Sequence, residues 1–509
     1  MPVLTMLDTV AIQRFIFSSN RLKDIVNASR MAEQFMSRDE ISRFVESQDR
    51  NIIFAAGGNA LLRFSNLSEA RNFTTRFSRK MIDTIPDIEF VVKHLEFREG
   101  TAAETIKQMQ KEINLEKTRR MPSVPLLGLS VTEICSQTGL PASVHDDRDG
   151  CIHTSVAARR DDKLQRQTEE RWRHLLPCRE NNEPGLSYSD QLDNIGRTHG
   201  DTSLIGIIHV DGNGVGKKIE KWLNSCRNKP DEDVFMEYAA ISGGLAELAS
   251  SALRKTIERL ALNIIGDKIC SGHFLGFSLA SKDSRDLILP LRPILCSGDD
   301  ITLACDGRLA LSVARILLEH FDRSSVKHLG NIKASAGVAI VGAHSPFSKA
   351  YNMAEELCAS AKKFLRDEDL QDQSAMDWTL ETFSSGEGAL EARDRLYKTS
   401  RGETLTQRPY LLNGAGKWEH QSVAWLFDNV IHCFQTEWEA FRNKVKQIPE
   451  ITRQGPEVVQ QTLGKWKAVN PGLRFPGDIP ETGFENQRTC LVDAVELNDI
   501  FLPIEGGQS

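Results

Sequence analysis

No apolar run among the 509 residues approaches the roughly 18 needed to cross a bilayer, so no membrane-spanning helix is expected. The N-terminus, MPVLTMLDTVAIQRFIF, lacks a basic start and carries Asp8 inside its apolar stretch. That argues against a secretory leader and for a buried strand, with the cytoplasm as the expected compartment. A basic excess is missing too: 63 Lys and Arg against 70 Asp and Glu leave a net charge of −7. Overall charge therefore does not point to a dedicated nucleic-acid binder, nor does it exclude one, because a local basic face can sit on an acidic protein. Ten cysteines are scattered from Cys135 to Cys490 without a single CxxC pair. Buried thiols are expected rather than a disulfide framework. What is present is ordinary for a globular protein, 40% hydrophobic and 26% charged. The length exceeds one core, so about two to four domains are expected.

The order of elements carries more. Residues 3–17 read as a strand, Ser19 to Gln48 as helical, and NIIFAAGGNALLRF as a hairpin hinged on Gly57-Gly58-Asn59. A helix over 67–82 and a strand over 88–97 complete a ferredoxin-like order. The same order returns. A strand at 203–212 leads to a long helix from about Phe235 to Ile265, and 291–305 form a hairpin hinged on Gly298-Asp299-Asp300. A helix at 307–322, a strand at 332–341 and a helix at 348–366 follow. The predicted class is α+β, with two copies of one ferredoxin-like fold at 1–120 and 201–400. Residues 121–200, with runs such as ARRDDKLQRQTEERWR, read as a polar linker or insertion. Residues 401–509 read as a mainly helical domain ending in a strand-like piece at 489–504.

Asp211 ends an apolar strand and precedes Gly212-Asn213-Gly214-Val215-Gly216-Lys217-Lys218. An unpaired buried carboxylate is costly, so an aspartate there wants a cation or several amide donors. The glycines let main-chain NH groups approach an anion such as a triphosphate at the helix start. A tight strand-to-helix turn with a solvated aspartate explains that string equally well. Asp299 and Asp300, following Ser297 and Gly298, shift the balance. Adjacent carboxylates repel, and an ordinary hairpin would prefer Asn-Gly or Asp-Gly. In a ferredoxin-like sheet the first strand and the hairpin are neighbours. Asp211, Asp299 and Asp300 are therefore expected around two hard cations, Mg2+ or Mn2+, which clamp the attacking and leaving oxygens of a phosphoryl displacement. An exposed acidic turn is the alternative. Lys362, beside Lys363 in AEELCASAKKF, is expected to reach the β- and γ-phosphates, with a plain surface lysine as the alternative.

These strings resemble the large palm-domain subunit of type III CRISPR effector complexes, whose palm is related to GGDEF cyclases. IQRFIFSSNRLKDIVNAS and AAGGNALLRF resemble the first palm, and HVDGNGVGK the first metal strand. LPLRPILCSGDDITLACDGRLA resembles the signature hairpin, SAGVAIVGAHSPFSKAYNMAEELCASAKK the strand and helix after it, and RPYLL the exit from the second palm. The resemblance implies a first, degenerate palm and a second, catalytic one. It implies an enzyme joining ATP into cyclic oligoadenylates, second messengers that activate an antiviral effector. Asp211, Asp299 and Asp300 would then be catalytic metal ligands. Gly212, Asn213, Gly214, Gly216, Lys217, Ser297, Gly298 and Lys362 would surround the nucleotide. Guide or target RNA and backbone subunits of the complex are the implied partners.

Four departures qualify the transfer. Gly57-Gly58-Asn59 has no carboxylate pair, so the first palm is expected to be non-catalytic while still able to hold a nucleotide. Ser297 replaces the first glycine of GGDD, and Asn213 stands where many relatives have an aspartate. The chain also opens directly on the first palm, without a histidine–aspartate nuclease domain. His145-Asp146 is expected to be a polar turn, and no DNase activity is expected. Cys135, His145, Cys151, His153 and Cys178 supply enough ligands for Zn2+ between the palms, but their spacing matches no standard module, so a metal-free insertion is the preferred expectation. A cyclic dinucleotide or mononucleotide cyclase of the same fold, and a scaffold subunit with little catalysis, are the competing readings.

Overall fold

The computed structural model describes residues 1–45, 51–121, 131–179, 183–195, 203–271, 274–282, 286–380 and 388–504. The chain opens with strand β1 (Val3–Val10), buried along most of its length. It ends sooner than its apolar composition predicts. Ala11 turns left-handed at φ 48°, and a short helix, α1 (Ile12–Ile16), buries Phe15 and Ile16 instead. The helix expected from Ser19 to Gln48 is divided into α2 (Leu22–Phe35) and the short helix Arg38–Ser42, which Ser37 caps by accepting from the Glu40 NH. The far end at Gln48 lies outside the described residues.

The hairpin β2 (Ile52–Ala56) and β3 (Asn59–Phe64) turns on Gly57 and Gly58, at φ 65° and 79°. Both positive values suit a two-residue primed turn. Helix α3 (Leu67–Thr84) starts with a reciprocal cap, because Asn66 accepts from the Glu69 NH and the Glu69 carboxylate accepts from the Ser65 NH. Strand β4 (Glu89–Glu96) and helix α4 (Ala102–Arg119) complete the unit. The sheet order β2-β3-β1-β4 is the ferredoxin-like one.

Between the two units, the stretch expected to be irregular contains a helix, α5 (Asp162–Arg171). Asp161 caps it by accepting from the Leu164 NH, and Leu164 and Thr168 are buried, so few apolar residues suffice. Residues 122–130, 180–182 and 196–200 of that expected insertion lie outside the described residues.

The second unit repeats the plan with β5 (Leu204–Gly212), α6 (Val215–Ser225) and the long α7 (Asp231–Leu262). The hairpin β6 (Leu291–Ser297) and β7 (Asp300–Asp306) is followed by α8 (Ala310–Arg323), β8 (Ala334–Gly342) and α9 (Phe347–Asp367). Asp300 is thus the first residue of a strand rather than part of the turn. Strands β9 (Ala375–Leu380) and β10 (Tyr410–Leu411) extend the sheet to the order β6-β7-β5-β8-β9-β10. Its first four strands match the first sheet position for position. A Cβ on Gly337 of β8 would fall 1.9 Å from the Ala354 carbonyl oxygen, so α9 lies directly on the strand backbone.

Each of the two main cores draws on both units. Leu4, Met6 and Phe54 share one with Ile208, Val210 and Tyr238. Val3, Leu7 and Ile25 share the other with Ile205, Ile207 and Ile294. After residue 412 the chain is helical, as expected, but the strand-like piece at 489–504 is a helix, α10 (Leu491–Asn498). Leu491, Ala494 and Leu497 share its buried face, and buried Asp493 meets Arg408 at 3.0 Å and the Tyr410 hydroxyl at 2.8 Å. The short apolar run had no period that separates helix from strand. Among the described residues, no helix is long and apolar enough to cross a membrane.

Candidate active site

Strand pairing brings the carboxylates together. Asp211 lies opposite Asp300 across β5 and β7, and opposite Ser335 across β5 and β8. Asp299 occupies the second turn position, after Gly298 at φ 63°. A Cβ on Gly212 would fall 2.5 Å from Asp299 Oδ2, so only a glycine at 212 lets Asp299 fold over the end of β5. Lys362 reaches in from α9, its Nζ 2.5 Å from Asp211 Oδ2 and 3.1 Å from the Gly212 carbonyl oxygen. Asp211, Asp299, Asp300, Gly212 and Lys362 are therefore one cluster, built from three separate stretches of chain.

The cluster is short of positive charge. Burial first, and then the neighbouring Asp211 charge, push the Asp299 carboxyl up to about 7. The same two causes in the same order hold Asp300 well above the usual carboxylate range. Asp300 Oδ1 is buried without a hydrogen bond among the described residues. Lys362 supplies the ammonium that faces Asp211. Among the described residues no three ligating side chains already converge on a common point. The chemistry of the set nevertheless fits a hard divalent ion, with three carboxylates brought together and a single ammonium, that of Lys362, set against them.

The remaining predicted residues divide. Asn213 turns away: its Oδ1 accepts from Ser335 Oγ at 2.9 Å and its Nδ2 donates to the Gln373 carbonyl at 3.3 Å. Gly214, at φ 67°, opens α6, and Lys217 is exposed on the first turn. Ser297 pairs with Asp300 across the hairpin, with its Oγ 3.6 Å from where a Cβ on Gly57 would lie. The two hairpin turns thus touch. Gly216 lines a different space, a cavity of about 400 Å³ with Asp8, Asn59, Lys107, Lys111 and Tyr238.

That cavity shows what the sequence reading missed. Asp8 lies opposite Asn59 in β3, as Asp211 lies opposite Asp300. Lys117 of α4 meets Asp8 at 2.5 Å, as Lys362 of α9 meets Asp211. Burial raises the Asp8 carboxyl, against the pull of Lys117. A residue-by-residue overlay of the two copies would have exposed this pair. Also missed was His209, two residues before Asp211 and on the same face of β5. Burial holds its imidazole below the ordinary value.

The five residues weighed for zinc lie in different settings. Cys135 packs under Ile152 and Val156, His153 accepts from the Ser155 NH at 3.3 Å, and Cys178 is exposed. His145 lies opposite Cys151 in a small hairpin whose turn Asp146 closes by accepting from the Arg148 and Asp149 NH groups.

Residues 204–369 match the family model for Cas10/Cmr2, second palm domain. Among solved structures, the chain is similar to the Csm1-Csm4 cassette in complex with AMPPNP, with a TM-score of 0.53, 14% identity, and coverage of 98% of this chain and 69% of that one. The cassette in complex with cA4 is similar over the same shares, at a TM-score of 0.51 and 14% identity. Csm1 of T. onnurineus gives a TM-score of 0.50 and 12% identity, again over 98% and 69%. Such identities carry the fold. No curated protein matches the chain. Residues 204–369 thus match the Cas10/Cmr2 second palm domain, within a fold similar along nearly the whole chain to that of the Csm1-Csm4 cassette structures.

Proposed function

We propose that this chain is a metal-dependent nucleotidyltransferase that joins ATP into cyclic oligoadenylates, as the signal-producing subunit of a type III CRISPR-like defence. The observation that carries this reading is the pairing of Asp211 with Asp300, with Asp299 folded over Gly212 and Lys362 on Asp211. Asp211, Asp299 and Asp300 would hold Mg2+ or Mn2+. When bound, the two ions neutralise phosphate charge and activate the attacking hydroxyl.

The protein's own part is positioning. Lys362, held between Asp211 and the Gly212 carbonyl, would offer its ammonium to the triphosphate. The first turn of α6, which opens on Gly214, would add the favourable field of a helix start for an anion. One nucleotide's 3′-hydroxyl then attacks the α-phosphate of another, and pyrophosphate leaves. Most of the acceleration comes from fixed geometry and charge. The first palm, with Lys107 and Lys111 lining its cavity, holds a nucleotide without reacting it. The AMPPNP and cA4 complexes of the similar cassettes support an adenine nucleotide. Backbone subunits, guide or target RNA and a messenger-activated effector are the partners of this reading, and the cytoplasm its compartment.

The test is incubation with labelled ATP and Mg2+ or Mn2+, with products separated by mass. Cyclic oligoadenylates from the parent, absent from Asp299→Ala/Asp300→Ala, support it. Equal products from both proteins, or none from the parent even with backbone subunits and target RNA, refute it. Cyclic dinucleotides would keep the chemistry and replace the product.

A further inference from the structure

Behind the carboxylates stands a column of side chains that the proposed chemistry leaves unused. His209 Nδ1 is 3.2 Å from Thr302 Oγ1 and 3.3 Å from Asp300 Oδ1, the oxygen without a hydrogen bond among the described residues. Tyr351 meets the His209 ring edge-on, with centroids 5.6 Å apart and planes at 76°. The Tyr351 ring also stacks on Phe17, with centroids 3.8 Å apart. Phe17 is the residue that closes α1, in the first palm. Tyr351, Cys358 and Lys362 lie along one stripe of α9, so the helix that brings Lys362 to Asp211 also backs His209.

Buried histidines often serve packing alone. The two palms provide an internal control. In the first, the positions equivalent to His209 and Thr302 are Met6 and Leu61, paired across β1 and β3. The apolar pair fills this place where the hairpin has no carboxylates. The polar pair appears only beside Asp300, and burying it costs free energy that Met and Leu avoid. Such a pair is expected where its donor has an acceptor to serve. A ligating carboxylate needs one oxygen held by a neighbour so that the other faces the ion, and that neighbour is commonly a donor in the next layer of side chains.

We propose that His209 is a positioning residue for Asp300, that Thr302 and Tyr351 fix its ring, and that Phe17 makes this brace a contribution of the first palm. The inference rests on reading Asp211, Asp299 and Asp300 as metal ligands.

The experiment is a manganese titration followed by the EPR signal of free Mn2+, run beside thermal unfolding. The variants are His209→Met/Thr302→Leu, which copies the first palm's apolar pair, His209→Asn, Phe17→Leu and Asp300→Ala. The double variant is expected to unfold no lower than the parent yet bind manganese roughly 10- to 100-fold more weakly. His209→Asn, whose amide replaces the Nδ1–H donor, recovers most of that loss, and Phe17→Leu loses less than the double variant. Parent-like affinity in the double variant, with a clear loss in Asp300→Ala, overturns this inference alone. Equal losses in His209→Asn and the double variant also overturn it. A parent that binds no better than Asp300→Ala overturns the metal reading and this inference together.

Discussion

The two palms are built on one plan and differ at a few atoms. Both keep the aspartate near the end of the first strand, opposite the first residue after the hairpin turn. Both set a lysine from the following helix 2.5 Å from it, Lys117 on Asp8 and Lys362 on Asp211. What the first palm lacks is the hairpin's charge, with Gly58-Asn59 in place of Asp299-Asp300. The Asp–Lys pair is therefore a property of the shared frame and by itself marks no chemistry. The added carboxylates crowd negative charge at one strand end, and either protons or a cation relieve it.

The largest expected effect breaks the comparison outright. Asp299→Ala/Asp300→Ala makes the second palm resemble the first and should cut nucleotidyl transfer roughly a thousandfold or more, read by product mass. Asn59→Asp in the first palm should create no second activity, because Gly58 brings no carboxylate.

The lysines separate frame from chemistry. Lys362→Ala should lower kcat by roughly a hundredfold. Lys117→Ala should change kcat little but lower stability by about 1–2 kcal/mol in urea unfolding, because it leaves Asp8 buried without its partner.

A third comparison uses pH on chelator-treated protein. The Asp299 and Asp300 carboxyls lie above their unfolded values, so the folded state binds those protons more tightly. Their contribution is full below the ordinary carboxylate value near 3.8 and is lost as pH rises towards about 7, the value for Asp299. The midpoint of thermal unfolding should fall over that window in the parent and stay flatter in Asp299→Asn/Asp300→Asn. Manganese should restore the parent at neutral pH.

The smallest difference concerns the turns. Gly58→Ala and Gly298→Ala both place a side chain at positive φ, costing roughly 1–2 kcal/mol. A Cβ at 58 also meets Thr9 Oγ1 at 2.7 Å, whereas one at 298 meets nothing within 4 Å. Gly58→Ala should therefore be the less stable variant in urea.

Most of the plan was legible because it rests on local signals. Glycine turns between apolar runs, Gly57-Gly58 and Gly298, mark both hairpins, and the order of elements marks the ferredoxin-like repeat. Asp211, Asp299 and Asp300 stand out because charge at the ends of apolar strands needs an explanation, and Lys362 because of its position in the helix that follows the fourth strand. Asp8 stood in the same kind of place, but its lysine lies more than a hundred residues away and no turn motif flags it. His209 and Tyr351 read as ordinary core residues, since their meaning lies in what β7 and α1 place beside them. The helix at 491–498 was taken for a strand because its buried Asp493 is compensated by Arg408, a partner that local pattern cannot supply. Asn213 is expected beside the nucleotide from its position in the string, and the Ser335 hydroxyl redirects it.

The shared cores have a consequence for how such a chain can change over time. Each palm looks like a module, yet Ser29 of α2 donates to the Ile294 carbonyl in the second hairpin, and Phe54 of the first hairpin packs on Tyr238 of α7. With both cores assembled from both halves, a break between them would expose two apolar faces at once. The first palm cannot be shed as redundant or exchanged as a cassette. It persists as half of the wall against which the second palm folds.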